Sequence, residues 1–222
     1  MVISMILSNF WINLRDFFVD KFSYNNDDRS FLLLALEQES GVLVALLDLG
    51  GKDGYYDLTP EMGKTIMSLN DYTFSMYYKV SSKNKLDGYG HFAFACSALA
   101  ENSAQEGPYV AFRLNEQRFE VSTGGYKHEE FIMSGEPAKK DEWVHVVYRQ
   151  KGRNGELFID GKLIGKNKNM PFLSEIFKEA PANCWIGRAP FKGDKYLSDT
   201  KIRDMRIYNY AMSDEEIATL NK

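Results

Sequence analysis

Cysteine is scarce in this sequence, whose 222 residues include only Cys96 and Cys184. A small secreted domain stabilised by a disulfide framework has more cysteines in a shorter chain, so that class of protein is excluded. Two interpretations of the pair stay open, either two small buried apolar residues or a single bridge. A bridge requires Cα atoms within about 7 Å, and the spacing of the two residues does not give that distance.

An excess of positive charge is also missing. The 27 Lys and Arg residues are outnumbered by 31 Asp and Glu residues, which gives a net charge of −4, and both signs are mixed along the chain. A domain that binds nucleic acid through its phosphates needs a basic face. The sequence therefore predicts no nucleic-acid partner.

Long apolar runs are absent, since no stretch of 18 apolar residues occurs and no membrane span is predicted. The apolar opening, Met1 to Phe22, has no Lys or Arg before its apolar stretch and no small-residue cleavage site, so no signal peptide is predicted. Its apolar residues recur at helical spacing, which favours an amphipathic helix packed on the main body. The expected organisation is an N-terminal segment over residues 1–24 and one domain over residues 25–222.

What the sequence does contain, from residue 70 onward, is the alternation of strands. Between Asp71 and Val80 every second side chain is apolar, so one face of this strand is expected to lie in the core. Shorter runs of the same kind follow, with turn residues between them. Two earlier apolar runs, Ser30–Glu37 and Val42–Leu47, have strand length but are also compatible with helix.

Turn and cap motifs support the prediction of many short strands. Asp160-Gly161 lies between two apolar runs and predicts a two-residue hairpin. Helix is predicted only in short pieces, over Leu173–Lys178 and after a capping box formed by Ser213 and Glu216. Many short antiparallel strands predict an all-β fold of two packed sheets, a sandwich or jelly roll, with short helices at its periphery.

Six short motifs follow one another between residues 50 and 220. Each motif corresponds to a different strand or turn, so their order is hard to obtain by chance. Together they resemble the laminin-G-like, concanavalin A-like jelly rolls, in particular those attached to glycoside hydrolases of gut Bacteroidetes. The motifs are Gly54–Leu58, Ser68–Ser75, Glu142–Val146, Gly155–Lys162, Trp185–Arg188 and Asp204–Asn209, followed by Ser213–Glu216.

The resemblance implies a domain that recognises carbohydrate without cleaving it and usually forms part of a longer secreted enzyme. We therefore expect a lectin-like domain that binds a polysaccharide or glycan and targets a linked or neighbouring glycosidase to it. The expected location is extracellular, periplasmic or at the cell surface, as part of a longer exported protein. Two alternatives stay open, a glycosidase or lyase with an unrecognised site, and a protein-binding or spacer module.

A catalytic site is not evident in the sequence. Glycosidases on related jelly rolls place carboxylates in a Glu-x-Asp-x-x-Glu spacing, so that alternate side chains enter one groove. The segment most similar to this spacing is Glu37-Gln38-Glu39, which lacks the third carboxylate. It is followed by Ser40-Gly41, which indicates a turn. The three histidines are dispersed, and none has a second ligand at metal-binding spacing. The prediction is a domain without catalytic residues.

Sugar binding requires aromatic faces that stack on the rings, with fixed hydrogen-bonding groups beside them. The loops are expected to supply both, and Trp143 and Trp185 are interpreted as core residues because they adjoin apolar strand positions. The candidate binding residues are Tyr89, His91, Tyr126, His128, Arg188, Phe191, Asp194 and Tyr196, with Lys192 in the same stretch.

Calcium is the one cofactor that the resemblance brings into consideration, because jelly rolls of this kind often hold one. Asp204 is the candidate ligand, since a hard cation prefers carboxylate and carbonyl oxygens. The parity of the apolar residues changes between Ile202 and Met205, which predicts a β-bulge beside this carboxylate. An ion pair of Asp204 with Arg206 or Arg203 is the simpler interpretation, and a chelator that left the melting temperature unchanged would count against the metal.

Overall fold

A computed structural model describes residues 4–7, 10–13, 35–39, 42–51, 54–100, 106–179 and 181–220. These ranges contain fifteen strands and three short α-helices. The helices are α1 (Glu61–Ile66), α2 (Leu173–Ile176) and α3 (Asp214–Leu220). The strands are β1 (Ser4–Leu7), β2 (Phe10–Asn13), β3 (Ala35–Glu39), β4 (Val42–Asp48), β5 (Tyr56–Asp57), β6 (Tyr72–Val80), β7 (Phe92–Ser97), β8 (Tyr109–Arg113), β9 (Arg118–Ser122), β10 (Glu129–Met133), β11 (Val144–Lys151), β12 (Asn154–Ile159), β13 (Lys162–Asn167), β14 (Asn183–Ile186) and β15 (Thr200–Tyr208).

Two antiparallel sheets form the body of the domain. One has six strands in the order β10-β9-β8-β7-β14-β5, and the other has seven in the order β13-β12-β11-β6-β15-β4-β3. The predicted all-β, two-sheet jelly-roll sandwich with short peripheral helices is therefore confirmed. No helix in the described part of the chain is both long enough and apolar enough to span a bilayer.

The core lies between the two sheets. The alternating residues of β6 that were expected to face inward are all buried, and Phe74 of β6 stacks on Phe94 of β7 with ring centroids 5.2 Å apart. Alternation then places the intervening residues of each strand on the outer face of its sheet. In β14, Cys184 and Ile186 join the core, so Trp185 between them faces outward from the six-stranded sheet.

A disulfide joins Cys96 and Cys184, which decides between the two interpretations of the pair. The two residues are directly opposite each other on the neighbouring strands β7 and β14, with Cα atoms 4.1 Å apart. Both are fully buried in the core between the sheets. The bridge therefore ties two adjacent strands that are 88 residues apart in sequence.

Local motifs have the conformations that the sequence predicts. Asp160 and Gly161 both have positive φ and connect β12 to β13. Ser213 and Glu216 form the reciprocal capping box at the start of α3, with backbone-to-side-chain distances of 2.7 and 3.2 Å. The predicted bulge in β15 is also present, because the pairing with β6 shifts between Arg203 and Arg206.

The N-terminal segment differs from the expected amphipathic helix. Ser4–Leu7 and Phe10–Asn13 are strands that pair with each other in an antiparallel two-stranded sheet. Each run has four residues, one turn of helix at most, and the second contains Phe10, Trp11 and Ile12, which favour strand. Residues 14–24 lie outside the described residues, and the boundary at residue 24 stays a prediction.

Candidate functional site

Two loops enclose an open pocket of about 300 Å³ at one end of the sandwich. The loop between β6 and β7 and the loop between β14 and β15 supply most of its lining, and Gly51 adds to it from the loop between β4 and β5. We call this pocket the lysine pocket because three lysines line it, and its lining includes Lys83, Lys85, Asp87, His91, Lys195 and Tyr196.

Long-range backbone bonds fix the two loops against each other. The amide of His91 donates to the carbonyl of Lys195, and the amide of Lys195 donates to the carbonyl of Tyr89, both over 3.2 Å. The buried side chain of Asn84 donates to the carbonyl of Ser198 over 2.7 Å. These bonds connect residues more than 100 positions apart, so the pocket has a defined backbone frame.

Lysines outnumber acidic residues among the described residues that line the lysine pocket, and the carboxylate of Asp199 lies beside one of those residues, Gly51. Asp87 is the one carboxylate among its lining residues, and it pairs with Lys195 at 2.7 Å. The hydrogen bond and charge of Lys195 lower the pKa of Asp87. Within the described ranges, neither Lys83 nor Lys85 has an acidic partner for its ammonium group. Two exposed lysines thus leave a local excess of positive charge on a chain whose net charge is negative.

His91 forms a buried part of the pocket wall. Its side chain is 4% exposed, and its backbone has a φ of +63°. The Nε2 atom lies 2.9 Å from the carbonyl oxygen of Asp87, and it is the donor because a carbonyl oxygen only accepts. The Nδ1 atom has no hydrogen-bond partner among the described residues. The ring therefore fixes the Asp87 turn rather than presenting a free donor to solvent.

A second group of side chains adjoins the lysine pocket, and Tyr196 belongs to both. The guanidinium of Arg188 lies 5.1 Å from the ring centroid of Tyr55, 4.6 Å from that of Trp185 and 5.9 Å from that of Tyr196. Tyr55 and Tyr196 also pack edge to face at 5.5 Å. We call these four residues the Arg188 cluster. Tyr55 is 40% exposed, so the cluster offers aromatic surface next to the pocket.

The remaining candidates of the β14–β15 loop have structural contacts. Phe191 packs edge to face on Phe92 and Tyr109, with centroids 5.9 and 5.0 Å apart, and covers small residues on the outer face of the six-stranded sheet. Asp194 is half-buried, and burial raises its pKa although Arg113 and His91 oppose the shift. These two residues anchor the loop beside the pocket, while Lys192 is exposed.

Tyr126 and His128 lie apart from the other candidates. They belong to a single 3-10 turn between β9 and β10, at the edge of the six-stranded sheet opposite to β14 and β5. Both are exposed, as is Tyr89, whose side chain is 80% exposed. Tyr89, however, lies between Asp87 and His91 of the lysine pocket. The structure thus brings together Tyr89, His91, Arg188, Asp194 and Tyr196, and leaves Tyr126 and His128 on another surface.

Sequence reasoning missed Tyr55, Trp185 and the pocket lysines. Trp185 was expected in the core, and it is indeed only 1% exposed, but it packs under Arg188 on the outer face of the sheet. The alternation of side chains along the strand could have shown this orientation, because Trp185 follows the buried Cys184. The Lys83-Asn84-Lys85 run directly after β6 was a usable indication of the lysines.

A cluster of charged residues occupies the outer face of β8, β9 and β10. We call it the Arg118 cluster, and it consists of Arg113, Glu116, Arg118, Glu120 and Glu129. Arg118 contacts Glu120 at 2.7 Å and also pairs with Glu129, while Arg113 contacts Glu116 at 2.6 Å and Glu120 at 3.4 Å. The Glu120 side chain is 1% exposed. Burial raises its pKa to about 7, although the two arginines lower it.

The raised pKa of Glu120 predicts a pH dependence of stability. Its ordinary pKa is 4.5, so between pH 4.5 and about 7 the folded state binds more protons than the unfolded state. The contribution of Glu120 to stability is therefore greatest at low pH and decreases as the pH rises toward 7. Between pH 4 and pH 8, the free energy of unfolding of the wild type is expected to fall by on the order of 3 kcal/mol more than that of Glu120→Gln.

Urea unfolding of both proteins across this pH range measures the difference. Glu142→Gln is the control, because the Glu142 side chain is 65% exposed in a surface pair with Lys139. That variant should follow the wild type at every pH. If the free energy of unfolding changed equally with pH in the wild type and in Glu120→Gln, the prediction would be contradicted.

Asp204 forms the ion pair that was the simpler interpretation of its motif. It sits in the β15 bulge with a φ of +51°, and its Oδ1 atom lies 2.5 Å from Nε of Arg206. Across the described ranges, no group of three or more His, Cys, Asp and Glu side chains is arranged to hold a metal ion. Asp204 thus belongs to no such group in the described residues, and its role as a calcium ligand stays a prediction.

Solved structures with the same fold include sugar-binding domains. The CBM40 domain of the Ruminococcus gnavus IT-sialidase, bound to α2,3 sialyllactose, is similar with a TM-score of 0.61 and 16% identity, over 80% of this chain and 98% of that chain. A leech intramolecular trans-sialidase complexed with 2,7-anhydro-Neu5Ac has a TM-score of 0.55 and 18% identity, over 78% of this chain and 26% of that one.

A third similar structure is domain 4 of AbnA, a GH43 extracellular arabinanase from Geobacillus stearothermophilus, in complex with arabinotriose. Its TM-score is 0.50 at 12% identity, over 81% of this chain and 73% of that chain. At these identities the likeness establishes the fold alone. A comparison with curated proteins finds no significant match. The family model described as the concanavalin A-like lectin/glucanases superfamily matches residues 50–218, and the chain belongs to this laminin-G-type family.

Proposed function

We propose that this protein is a non-catalytic carbohydrate-binding domain whose binding surface consists of the lysine pocket and the Arg188 cluster. The observation that carries the proposal is the continuity of the two through Tyr196, which lines the pocket and also packs on Tyr55. Exposed aromatic surface beside fixed polar groups is the combination that sugar rings require. The sugar-bound structures of similar fold support this choice of ligand class.

Binding rather than cleavage fits the state of the carboxylates. In the Arg118 cluster, Glu120 and Glu129 are mostly buried and paired with Arg118, and Glu120 also contacts Arg113. A glycosidase needs two carboxylates that reach the scissile bond from either side. The lysine pocket has a single carboxylate, Asp87, in its lining. An assay for released reducing ends on every glycan that binds tests the absence of hydrolysis.

Targeting of a glycosidase is the proposed biological role. Two of the similar domains belong to a sialidase and to an arabinanase, which supports association with such enzymes. A weak site linked to an enzyme raises the effective concentration of that enzyme on its polymer. The disulfide fits an exported protein, because disulfides persist in oxidising compartments.

A glycan array followed by calorimetry tests the binding surface. The array should include sialylated lactose, arabinan oligosaccharides, xylan and pectin fragments, and it identifies a binding glycan. Tyr55→Ala is then expected to weaken binding of that glycan about tenfold, because it removes the exposed ring beside Arg188.

Tyr126→Ala is the matched control, because Tyr126 is a similarly exposed tyrosine, 45% against 40%, on a different surface. It should bind as the wild type does. Binding to no glycan on the array would refute the proposed function. Loss of binding in Tyr126→Ala but not in Tyr55→Ala would move the site to the β9–β10 turn.

A further inference from the structure

The lysine pocket has a charge that aromatic stacking alone does not require. Among the described residues that line it are three lysines, Lys83, Lys85 and Lys195, and one acidic residue, Asp87. Because Lys195 pairs with Asp87 at 2.7 Å, this pair is close to neutral. Lys83 and Lys85 have no acidic partner within the described ranges, so their charges are not neutralised, and both residues are exposed. A pocket with such a surplus attracts an anionic group.

The frame of the pocket holds the two lysines near each other. They flank Asn84, whose side chain is buried and whose Oδ1 accepts from the amide of Leu86 at 2.8 Å. The carbonyl of Asn84 in turn accepts from Nζ of Lys140 at 2.6 Å. The segment between Lys83 and Lys85 is therefore fixed by its central residue, while the two charged ends remain available to a ligand.

Arg188 adds a further positive charge on the adjoining surface. Its guanidinium donates to the carbonyl of Ala100 at 3.2 Å and lies over three aromatic rings. No carboxylate in the described part of the chain pairs with it. The Arg188 cluster adjoins the pocket at Tyr196, so a glycan with its acidic group in the pocket would extend toward this cluster.

From this geometry we infer that the preferred ligand is an anionic glycan, whose carboxylate or sulfate group binds at Lys83 and Lys85 while a sugar ring contacts the Arg188 cluster. The inference rests on the proposed function and adds the class of ligand. Hydrogen bonds between ammonium groups and anionic oxygens are stronger than neutral ones, so they favour acidic over neutral sugars. The attraction acts between partly exposed groups and is weakened by salt.

Glycans with and without an acidic group test the inference. The probes are 3′-sialyllactose for a carboxylate, 3′-sulfolactose for a sulfate and lactose as the neutral reference, with polygalacturonate against galactan as a second pair. In low salt the protein should bind at least one acidic probe about tenfold more tightly than its neutral partner. The stronger of the two lactose-based acids distinguishes a carboxylate ligand from a sulfate ligand.

Lys83→Gln/Lys85→Gln should abolish this preference, so that the variant binds the acidic probe no more tightly than its neutral partner. Lys162→Gln/Lys168→Gln removes the same charge from exposed positions at and after β13, the edge strand of the seven-stranded sheet, and should retain the preference. Raising the salt concentration should reduce the preference in the wild type and in this control variant alike. Thermal melts of both variants check that they are folded.

The outcomes separate this inference from the proposed function. Equal affinity for acidic and neutral members of every pair would overturn the anionic preference while leaving carbohydrate binding intact. An acidic preference that survives in the Lys83/Lys85 variant would also overturn it, because the charge would then act elsewhere. Binding to none of the glycans would refute the proposed function itself, and the inference with it.

Discussion

Replacing Cys96 and Cys184 together by alanine is expected to lower the free energy of unfolding by about 4.5 kcal/mol. The bridge closes a loop of 88 residues, and in the chain-entropy model a loop of that length restricts the unfolded chain by this amount. Both residues are fully buried, so alanine adds no polar group to the core. Urea unfolding of the wild type and the double variant measures the difference.

Reduction provides an internal control for this result. In the presence of dithiothreitol, the wild type should unfold at the denaturant concentration at which the double variant unfolds, and the variant should be unaffected. Thiol titration of the unfolded wild type before reduction should find no free thiol. Two free thiols, or equal stabilities of the oxidised protein and the variant, would contradict the presence of the bridge.

Gly90→Ala is expected to destabilise the protein by roughly 3 to 5 kcal/mol and to abolish glycan binding. Gly90 has a φ of +107°, and a Cβ atom there would lie 2.2 Å from the carbonyl oxygen of Lys195. That carbonyl accepts the amide of His91 in the bond that joins the two pocket loops. The substitution must therefore separate the loops.

Gly193→Ala distinguishes the close contact from the effect of positive φ alone. Gly193 lies in the same β14–β15 loop with a φ of +86°, but nothing lies within 4 Å of its Cβ position. This variant is expected to lose only about 1 kcal/mol and to bind glycan normally. Similar losses in the two variants, measured by thermal unfolding and calorimetry, would show that the approach of Gly90 to Lys195 is not critical.

Local chemistry accounts for what the sequence predicted well. The hairpin at Asp160-Gly161, the capping box of Ser213 and Glu216, and the bulge beside Asp204 depend on residues within a few positions of each other. The inward face of β6 follows from its period of two. The N-terminal residues lack such constraints, since Ser4–Leu7 and Phe10–Asn13 are short apolar runs compatible with helix or strand, and pairing with each other determines the strands.

The candidate site was harder to predict because distant segments form it. The loops meet through bonds such as that from Lys195 to Tyr89, which connects positions more than 100 residues apart and leaves no local pattern. Aromatic and polar residue types selected Arg188 and Tyr196, which contact each other, but they selected Tyr126 by the same criterion. Only the strand order shows that Tyr126 lies at the opposite edge of the sheet.

Charge was the least visible feature of the site. The chain as a whole is acidic, so its composition gives no indication of the unpaired positive charges of Lys83 and Lys85. Their surplus emerges only when Lys195 is brought to Asp87 from the other loop and neutralises it. The same alternation that placed Tyr72 and Phe74 in the core would have placed Trp185 on the outer face, had Cys184 first been assigned to the interior.

The most direct test of the binding surface is a titration of the ¹⁵N-labelled protein with 3′-sialyllactose and with lactose, followed by amide chemical shifts. The largest shifts are predicted in residues 83–91 and 187–198 and around Tyr55, with the acidic sugar producing them at lower concentration. Shifts centred on Tyr126 and His128, or on the seven-stranded sheet, would contradict the assignment of the binding surface to the lysine pocket and the Arg188 cluster.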